Sequence, residues 1–369
     1  MLIKKIYIDG VRNLKQSQLD FHPEMNVFVG ANGSGKTSLL ESIFFLALGR
    51  SFRTNRFNNI VRFDNDFVVV SAIYSDKAKN KQIKISTSKH KNQEKISKIG
   101  GAVSVNSQIA ALTPTQIIHD ETSKLIFKEP DVRRKFLDWL VFYSNKNYQH
   151  LWREFKLALY QRNMLLKKSQ LKLMPILNSI DEVFVGLSEK IKIARQNVWE
   201  SFGRVLVRVF DDLEIGVEIK PEISLFHGWN GDLLEKLIET REIDLKFGVT
   251  HRGPHKADLK FVVNGKAAKE VLSRGQGKVL SLAMILARSL FIRTAAEREC
   301  FTSVLLIDDL CSELDDVNVG KIIQKLFCLR DDLQIFITGT DKNKLLKVLP
   351  ADRCSWFEIC DGAIVCSDS

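Results

Sequence analysis

Residues 30–37 read Gly-Ala-Asn-Gly-Ser-Gly-Lys-Thr, a complete G-x-x-x-x-G-K-[ST] loop, and its surroundings restrict what the chain can fold into. An apolar run, Val27-Phe28-Val29, precedes the loop and reads as a buried strand. Ser38-Leu39-Leu40-Glu41-Ser42-Ile43-Phe44-Phe45 follows, with apolar positions at helical spacing. A strand that turns through glycines into a helix N-terminus cradles phosphate oxygens, because backbone N–H groups converge there and the helix dipole favours negative charge. Gly30, Gly33 and Gly35 are expected to reach φ > 0 in that turn, with Ala31, Asn32 and Ser34 between them. Lys36 is expected to reach the outer phosphates, and the Thr37 hydroxyl to ligate Mg²⁺. The loop predicts an α/β fold that takes a nucleoside triphosphate; a glycine-rich turn without a ligand is the alternative.

At 369 residues the chain can bury a large core and is expected to form two lobes. A hydrophobic content of 45% beside 27% charged residues is that of an ordinary globular protein. The net charge of +11 is less ordinary and favours a polyanionic partner, nucleic acid before an anionic membrane face. A basic solubilising surface accounts for the same sum. The six cysteines (Cys300, Cys311, Cys328, Cys354, Cys360 and Cys366) form no C-x-x-C pair and have no histidine at metal-ligand spacing, so reduced thiols are expected. The first residues carry Lys4 and Lys5 without a signal-type apolar core, and apolar stretches such as Phe44 to Leu48 are too short to span a bilayer. A cytoplasmic protein without membrane contact is expected.

Along the chain three parts are expected: a β-rich part over 1–112, a helical insertion over 113–246, and a returning β/α part over 247–369. Strands are predicted at Leu2-Ile3 with Ile6 to Ile8, at Phe67 to Ile73 and at Gln82 to Ser88. Between Asp76 and Lys98 stand eight lysines, which read equally as a solvated hairpin edge or as a phosphate-contacting surface. In the middle part Tyr148, Leu151, Trp152, Phe155 and Leu159 recur at helical spacing, and Pro175 reads as an interruption. From Ile180 to Val209 an apolar stripe predicts one amphipathic helix of about 30 residues, about 45 Å long. Asn264-Gly265 predicts a type I′ hairpin turn. Val304 to Ile307 and Gln334 to Ile337 read as buried strands of a parallel sheet.

The strand Val304-Leu305-Leu306-Ile307 ends in Asp308 and Asp309. Asp308, at the strand tip, is the candidate Mg²⁺ ligand beside Thr37; Asp309 is the candidate group for accepting a proton from, or orienting, an attacking water. Leu272-Ser273-Arg274-Gly275-Gln276-Gly277-Lys278 opens a further helix, offering N–H groups, a hydroxyl and a positive dipole end to an anion. One subunit has no use for a second anion site of this kind. The expectation is that Ser273, Gly275 and Gln276 close over nucleotide held by another subunit, with a plain serine N-cap as the alternative.

These segments carry a resemblance. Leu272-Ser273-Arg274-Gly275-Gln276 resembles the signature of ATP-binding-cassette ATPases, Ser312-Glu313-Leu314-Asp315 their D-loop, and Thr338 stands at their switch position. Further segments are similar to the RecF family in particular: 10–14, 49–54 (Gly-Arg-Ser-Phe-Arg-Thr), 133–138 (Arg-Arg-Lys-Phe-Leu-Asp), 253–259 and 307–315. The resemblance implies an ABC-type ATPase head of the SMC/Rad50 kind, a P-loop fold of mixed sheet and antiparallel β meander, with a helical lobe inserted. It implies that Arg12 helps hold the nucleotide phosphates and Ser273 completes the partner's site. It also implies ATP and Mg²⁺ as ligands, an ATP-dependent homodimer, binding of single- and double-stranded DNA, slow ATP hydrolysis, and work with RecO and RecR in recombinational repair and the SOS response near the nucleoid.

The chain departs from the family pattern in places. Pro114-Thr115-Gln116 stands where Pro-Glu-Asp is usual, which leaves Gln116 as a candidate Q-loop ligand; the switch segment reads Thr-Gly-Thr; and Asp309 replaces a glutamate. Other classes fit less well. A structural DNA clamp with idle nucleotide shares every motif, whereas a transporter's nucleotide-binding half lacks a spanning partner segment, and a nuclease lacks a further acidic cluster.

Overall fold

The computed structural model describes residues 1–76, 80–168, 174–213, 221–295, 302–309, 333–349 and 353–367. Strands β1 (Leu2–Asp9), β2 (Ser17–Asp20) and β3 (Met25–Val29) come first, and β3 leads to helix α1 (Lys36–Leu48). A meander follows in β4 (Phe67–Asp76), β5 (Lys81–His90), β6 (Ile96–Ile99) and β7 (Ala102–Val103), then α2 (Asn106–Leu112) and β8 (Thr115–Ile118). Helices α3 (Lys124–Phe127), α4 (Pro130–Ser144), α5 (Tyr148–Lys168) and α6 (Met174–Leu213) form the middle. Next come β9 (Glu222–Phe226), α7 (Leu233–Glu239), α8 (Arg241–Phe247), β10 (Asp258–Val263), β11 (Lys266–Ala267), α9 (Ala268–Val271) and α10 (Arg274–Ala295). The last elements are β12 (Ser303–Ile307), β13 (Leu333–Gly339), α11 (Lys342–Leu346), β14 (Cys354–Cys360) and β15 (Ala363–Ser367).

The chain divides into two compact units, one of Met1–Thr122 with Arg298–Ser369 and one of Ser123–Glu297. The first unit holds two six-stranded sheets. An antiparallel sheet runs β2-β1-β4-β5-β6-β7; the other runs β15-β14-β3-β13-β12-β8 and is parallel except for β15. The five buried residues of β3, β12 and the seven of β13 show why these segments are continuously apolar: both faces of a central parallel strand are covered. Helix α1 lies in the core between the sheets, and eleven of its thirteen residues are buried, which suits a helix apolar on nearly every side. Phe21, Phe28, Phe336 and Phe357 form an aromatic knot there, Phe28 stacked on Phe357 at 4.8 Å and Phe21 edge-on to Phe336 at 4.9 Å. Gln334 ties the sheets together, its amide accepting from Ile3 N at 2.8 Å and donating to Ile3 O at 2.8 Å and His22 O at 3.0 Å.

The second unit is a helical bundle with the small sheet β11-β10-β9. The 40-residue α6 is longer than the apolar stripe alone predicts, because Pro175 stands in its first turn. Proline there loses no hydrogen bond and starts a helix rather than interrupting one. Asn264 and Gly265 both take positive φ (49° and 75°) between β10 and β11, as the predicted hairpin turn requires.

The units divide the chain differently from the expected lobes. Residues 113–122 supply β8 to the parallel sheet, and 247–297 go with the helical unit, where α10 packs along α6. Helix α10 is long and apolar enough by composition to cross a membrane, but 72% of the window that qualifies is buried within the protein, so its hydropathy is that of a core helix.

The buried face of α6 also carries charge. Asp181 accepts from Arg162 Nε at 2.7 Å and from Arg241 at 2.8 Å; Asp244 accepts from Arg162 Nη1 at 2.7 Å and meets His251 Nδ1 at 2.7 Å. Arg162, Asp181 and Asp244 are fully buried. Removing one partner from such a network strands the others in a poorly solvated place. Arg162→Met is therefore expected to destabilise the protein by about 3–5 kcal/mol, measured by denaturant unfolding of this unit's signal. A loss below about 1 kcal/mol would show that Arg241 and His251 alone neutralise the two aspartates.

Candidate functional site

The parallel strands β3, β13, β12 and β8 bring their C-terminal ends to one edge of the sheet, the place where open α/β sheets form ligand crevices. Gly339 closes β13, and just beyond the other three ends stand Gly30, Asp308 and His119. A cleft of about 480 Å³ lies there, lined by loop residues including Asn32, Gly33, Gly35, Lys36 and Thr37, and by Arg12, Asp308 and Asp309.

Each loop glycine has its own reason. Gly33 and Gly35 take φ of 81° and 121°, as predicted. Gly30 does not take positive φ; a Cβ there would lie 2.3 Å from the Ile359 carbonyl oxygen, so close backbone approach is what excludes a side chain. A Cβ on Gly35 would likewise meet Leu14 at 2.8 Å. The loop is braced from two sides. Asn13 Nδ2 donates to Gly33 O at 2.9 Å while its Oδ1 accepts from Ser38 Oγ at 3.0 Å. Gly362, in the turn between β14 and β15, donates to Ser34 O at 2.9 Å and accepts from Lys15 N at 2.9 Å. Its φ is 76°, and a Cβ added to it would lie 1.9 Å from Asn13 O, so the turn has room for glycine alone.

Lys36 is buried, and its Nζ donates to the carbonyls of Gly30 at 2.7 Å and Ala31 at 2.9 Å. Burial pushes its ammonium below the usual lysine range, while Asp309 and Asp308 pull it back up. Thr37 Oγ1 lies 3.0 and 2.9 Å from the two oxygens of Asp308, so the predicted pair is assembled across 271 residues of sequence. Thr338 organises both acids. Its buried hydroxyl donates to Asp308 Oδ1 at 2.8 Å and accepts from Asp309 N at 2.9 Å. Asp309 takes a φ of 51°, strained for an aspartate and held by that hydrogen bond.

Arg12 also sits at positive φ (44°) and pairs through Nε and Nη2 with Glu41, a fully buried carboxylate of α1. Glu41 accepts a further bond from Ser51 Oγ, which in turn accepts from the backbone N–H of Arg53 and Thr54 at 2.9 and 3.1 Å. Arg12 and Arg53 both line the cleft. The phosphate-loop motif does not single out Asn13, Ser38, Glu41, Ser51 or Arg53; the similarity of segments 10–14 and 49–54 to one family signals Asn13, Ser51 and Arg53, and no sequence signal marks the roles of Ser38 and Glu41.

One further expectation changes. Gln116 lies inside β8, buried and level with Leu305, two residues short of Ile118, the strand end that meets Asp308. It does not line the cleft; the residue just past the strand end is His119, which leans on Phe52 with ring centres 5.2 Å apart. The D-loop segment Ser312 to Asp315 and Cys300, Cys311 and Cys328 lie outside the described residues. Among the described residues no cluster of three His, Cys, Asp or Glu could hold a metal. A hard cation held by one hydroxyl and one carboxylate, with other oxygens from its ligand, fits Thr37 and Asp308.

In the second unit Ser273 is exposed at the start of α10 and forms a reciprocal cap. Its Oγ accepts from Gln276 N at 3.2 Å, and its N–H donates to Gln276 Oε1 at 2.9 Å. Gly275 is exposed beside it, and Gly277 packs so closely that a Cβ would meet Phe127 at 2.2 Å. The 133–138 and 253–259 segments prove structural: Arg133 is bidentate to Asp258 at 2.6 and 3.0 Å, and Asp138 accepts from Arg195, which also donates to Pro254 O at 2.8 Å.

A model of the RecF/RecN/SMC N-terminal domain matches residues 2–355. The DNA replication and repair protein RecF of Cellvibrio japonicus is 34% identical over 352 residues, 94% of this chain and 93% of that protein. This chain belongs to the RecF family. The RecF of Francisella tularensis is also 34% identical, over 94% of this chain and 96% of its own. Among solved structures, the recombination mediator protein RecF-ATP of the RecFOR pathway superposes with a TM-score of 0.85 at 29% identity, covering 100% of this chain and 98% of that one. An Smc head bound to the C-winged helix domain of ScpA, at 16% identity and a TM-score of 0.60, shares the fold. The RecF-family chain thus has the ABC-type ATPase head fold expected from its motifs.

Because Asp308 and Asp309 raise the Lys36 pKa against its burial, neutralising both in Asp308→Asn/Asp309→Asn is expected to lower it further. NMR titration of the lysine side-chain signal reads the shift; an unchanged or higher pKa would mean that the acids do not face the ammonium.

Proposed function

We propose that this RecF-family protein is an ATP-dependent DNA-binding protein of recombinational repair and replication-fork maintenance, which dimerises around ATP on single- or double-stranded DNA and hydrolyses it slowly. One observation carries the reading: Thr37 and Asp308, from distant parts of the chain, meet beside Lys36 and a loop in which Gly30 and Gly35 stand too close to their neighbours for a Cβ. In this reading Gly30, Ala31, Asn32, Gly33, Ser34 and Gly35 wrap the phosphates, Lys36 exchanges loop carbonyls for phosphate oxygens, and Arg12 adds a second cation. Mg²⁺ would be held by Thr37 and Asp308 and would neutralise phosphate charge. Asp309 is placed to accept a proton from the attacking water, and Thr338 to register, through both acids, whether the outermost phosphate is present.

The exposed position of Ser273 supports dimerisation. An exposed serine, a glycine and the N-terminus of a 22-residue helix form an anion-binding surface that a second copy can lay over the first copy's triphosphate. Contacts available only in the dimer make ATP favour assembly, and hydrolysis releases it. Family membership supports RecR and RecO as partners, a role in the SOS response, and action in the cytoplasm at the nucleoid. The Asp309 side chain, shorter than glutamate, suits slow turnover.

Lys36→Arg is expected to abolish both dimerisation and hydrolysis, since the larger guanidinium does not fit between the Gly30 and Ala31 carbonyls. Ser273→Arg is expected to keep monomeric ATP binding and lose only the dimer. Calorimetric titration with sedimentation separates the two, and equal loss of ATP affinity in both variants would refute this division of roles. Asp309→Asn is expected to slow hydrolysis by at least about 100-fold and to trap the dimer on DNA. Unimpaired repair by that variant in cells would favour a clamp whose turnover is idle.

A further inference from the structure

Three lysines of the stretch 76–98 are committed to their own unit. Lys91 pairs with Asp66 at 2.8 Å, Lys95 donates to Gly49 O at 2.7 Å, and Lys89 lies 4.6 Å above the Phe57 ring. Lys77 and Lys79 lie outside the described residues, and Lys81, Lys84 and Lys98 remain exposed on strands β5 and β6, the solvated-edge arrangement.

A groove of different character runs along α6 in the helical unit. Two adjoining clefts of about 410 and 460 Å³ share Ser144, Asn197 and Val198. Lys146, in the turn before α5, lines one; Arg204 and Arg208 line the other. Among the described residues no carboxylate lines either cleft. Asn197, Ser201, Arg204 and Arg208 recur at i, i+4, i+7 and i+11, so they form one stripe about 16 Å long, and exposed Lys190 continues it seven residues earlier. Arg204 and Arg208 are exposed and about 6 Å apart along the axis, a separation comparable to that of neighbouring phosphates on one strand. Ser201 orients Arg204, accepting from its Nη2 at 3.3 Å. The N-terminus of α5 adds the positive end of a 21-residue helix beside Lys146. The nearest acids on α6 lie outside the lining: Glu200 is engaged with Gln196 at 2.6 Å, and Asp211 and Asp212 stand a turn beyond Arg208.

We propose that this groove is a contact surface for the phosphate backbone of nucleic acid, with Arg204, Arg208 and Lys146 as phosphate partners and Asn197 and Ser201 as neutral donors. The inference rests on the DNA-binding reading above and gives it a place in the fold. Contacts of this kind position the nucleic acid without reading its sequence and release counterions. The groove therefore binds any sequence, and its affinity falls as salt rises.

The test is fluorescence anisotropy of the full chain with ATP, using a labelled single strand and the matching duplex over a series of salt concentrations. Arg204→Glu/Arg208→Glu is expected to weaken binding at least about tenfold and to flatten the plot of log affinity against log salt by about two. Arg204→Ala/Arg208→Ala is expected to flatten it by a similar amount with a smaller loss of affinity. Lys84→Glu/Lys98→Glu changes the net charge equally on the other unit and is expected to have the smaller effect. Melting curves and DNA-free ATP turnover of all variants should match the unmodified protein. Whichever substrate, single strand or duplex, shows the larger loss identifies the form the groove holds. Unmodified protein that binds DNA, with groove variants that bind as well or with lysine reversal equally harmful, overturns the groove alone. Unmodified protein that binds neither DNA at any salt overturns the functional reading and the groove together.

Discussion

One hydroxyl governs the candidate site. Thr338, buried near the end of β13, donates to the Asp308 carboxylate and accepts from the Asp309 backbone, so a single side chain sets the position of both acids. Asp308 in turn reaches Thr37 at the start of α1. This chain of contacts works only because β3, β13 and β12 run parallel and end at the same edge. Were β13 to slip by one residue, Thr338 would face the opposite side of the sheet, and the acids would lose their common anchor. The apolar filling of the sheet, from Val27 to Phe357, is what forbids that slip.

The helical unit solves a different problem with different means. Its long helix buries Asp181 and Arg195 on the same face as its phenylalanines, and each finds partners from distant segments. Such ion pairs add little net stability against an apolar core of equal volume, but breaking one by removing a partner leaves a buried charge uncompensated. Arg133 with Asp258, and Arg195 with Asp138 and the Pro254 carbonyl, join segments more than fifty residues apart. Segments that resemble a family most closely can thus be structural ties rather than parts of the reacting site.

Much of the first unit is legible in the chain without any coordinates, and the reason is local. Glycines with a defined spacing, a strand before them and a helix after them leave few conformations, so Gly33, Gly35, Lys36 and Thr37 stand where expected. The apolar run ending in Asp308 likewise announces a parallel strand. Other features depend on contacts that sequence order hides. Asn13, Glu41 and Ser51 act through hydrogen bonds to residues that no periodicity links to them. Gln116 resembles a ligand because of its neighbours in the chain, yet the register of β8 against β12 buries it away from the cleft. Pro175 reads as a break because proline usually is one, although its place in a first turn makes it a beginning. Ser273 and Gln276 carry both a capping pattern and a signature, and the capping bonds are the part visible within one chain.

The turn at Gly362 has a consequence for how the protein comes into being. Its backbone supports Ser34 and Lys15, more than three hundred residues upstream. A ribosome therefore releases the glycine-rich loop long before the residue that shores it up has been made. Until then the N-terminal strands wait without that brace, and the loop gains its support from Gly362 only after more than three hundred further residues have been joined.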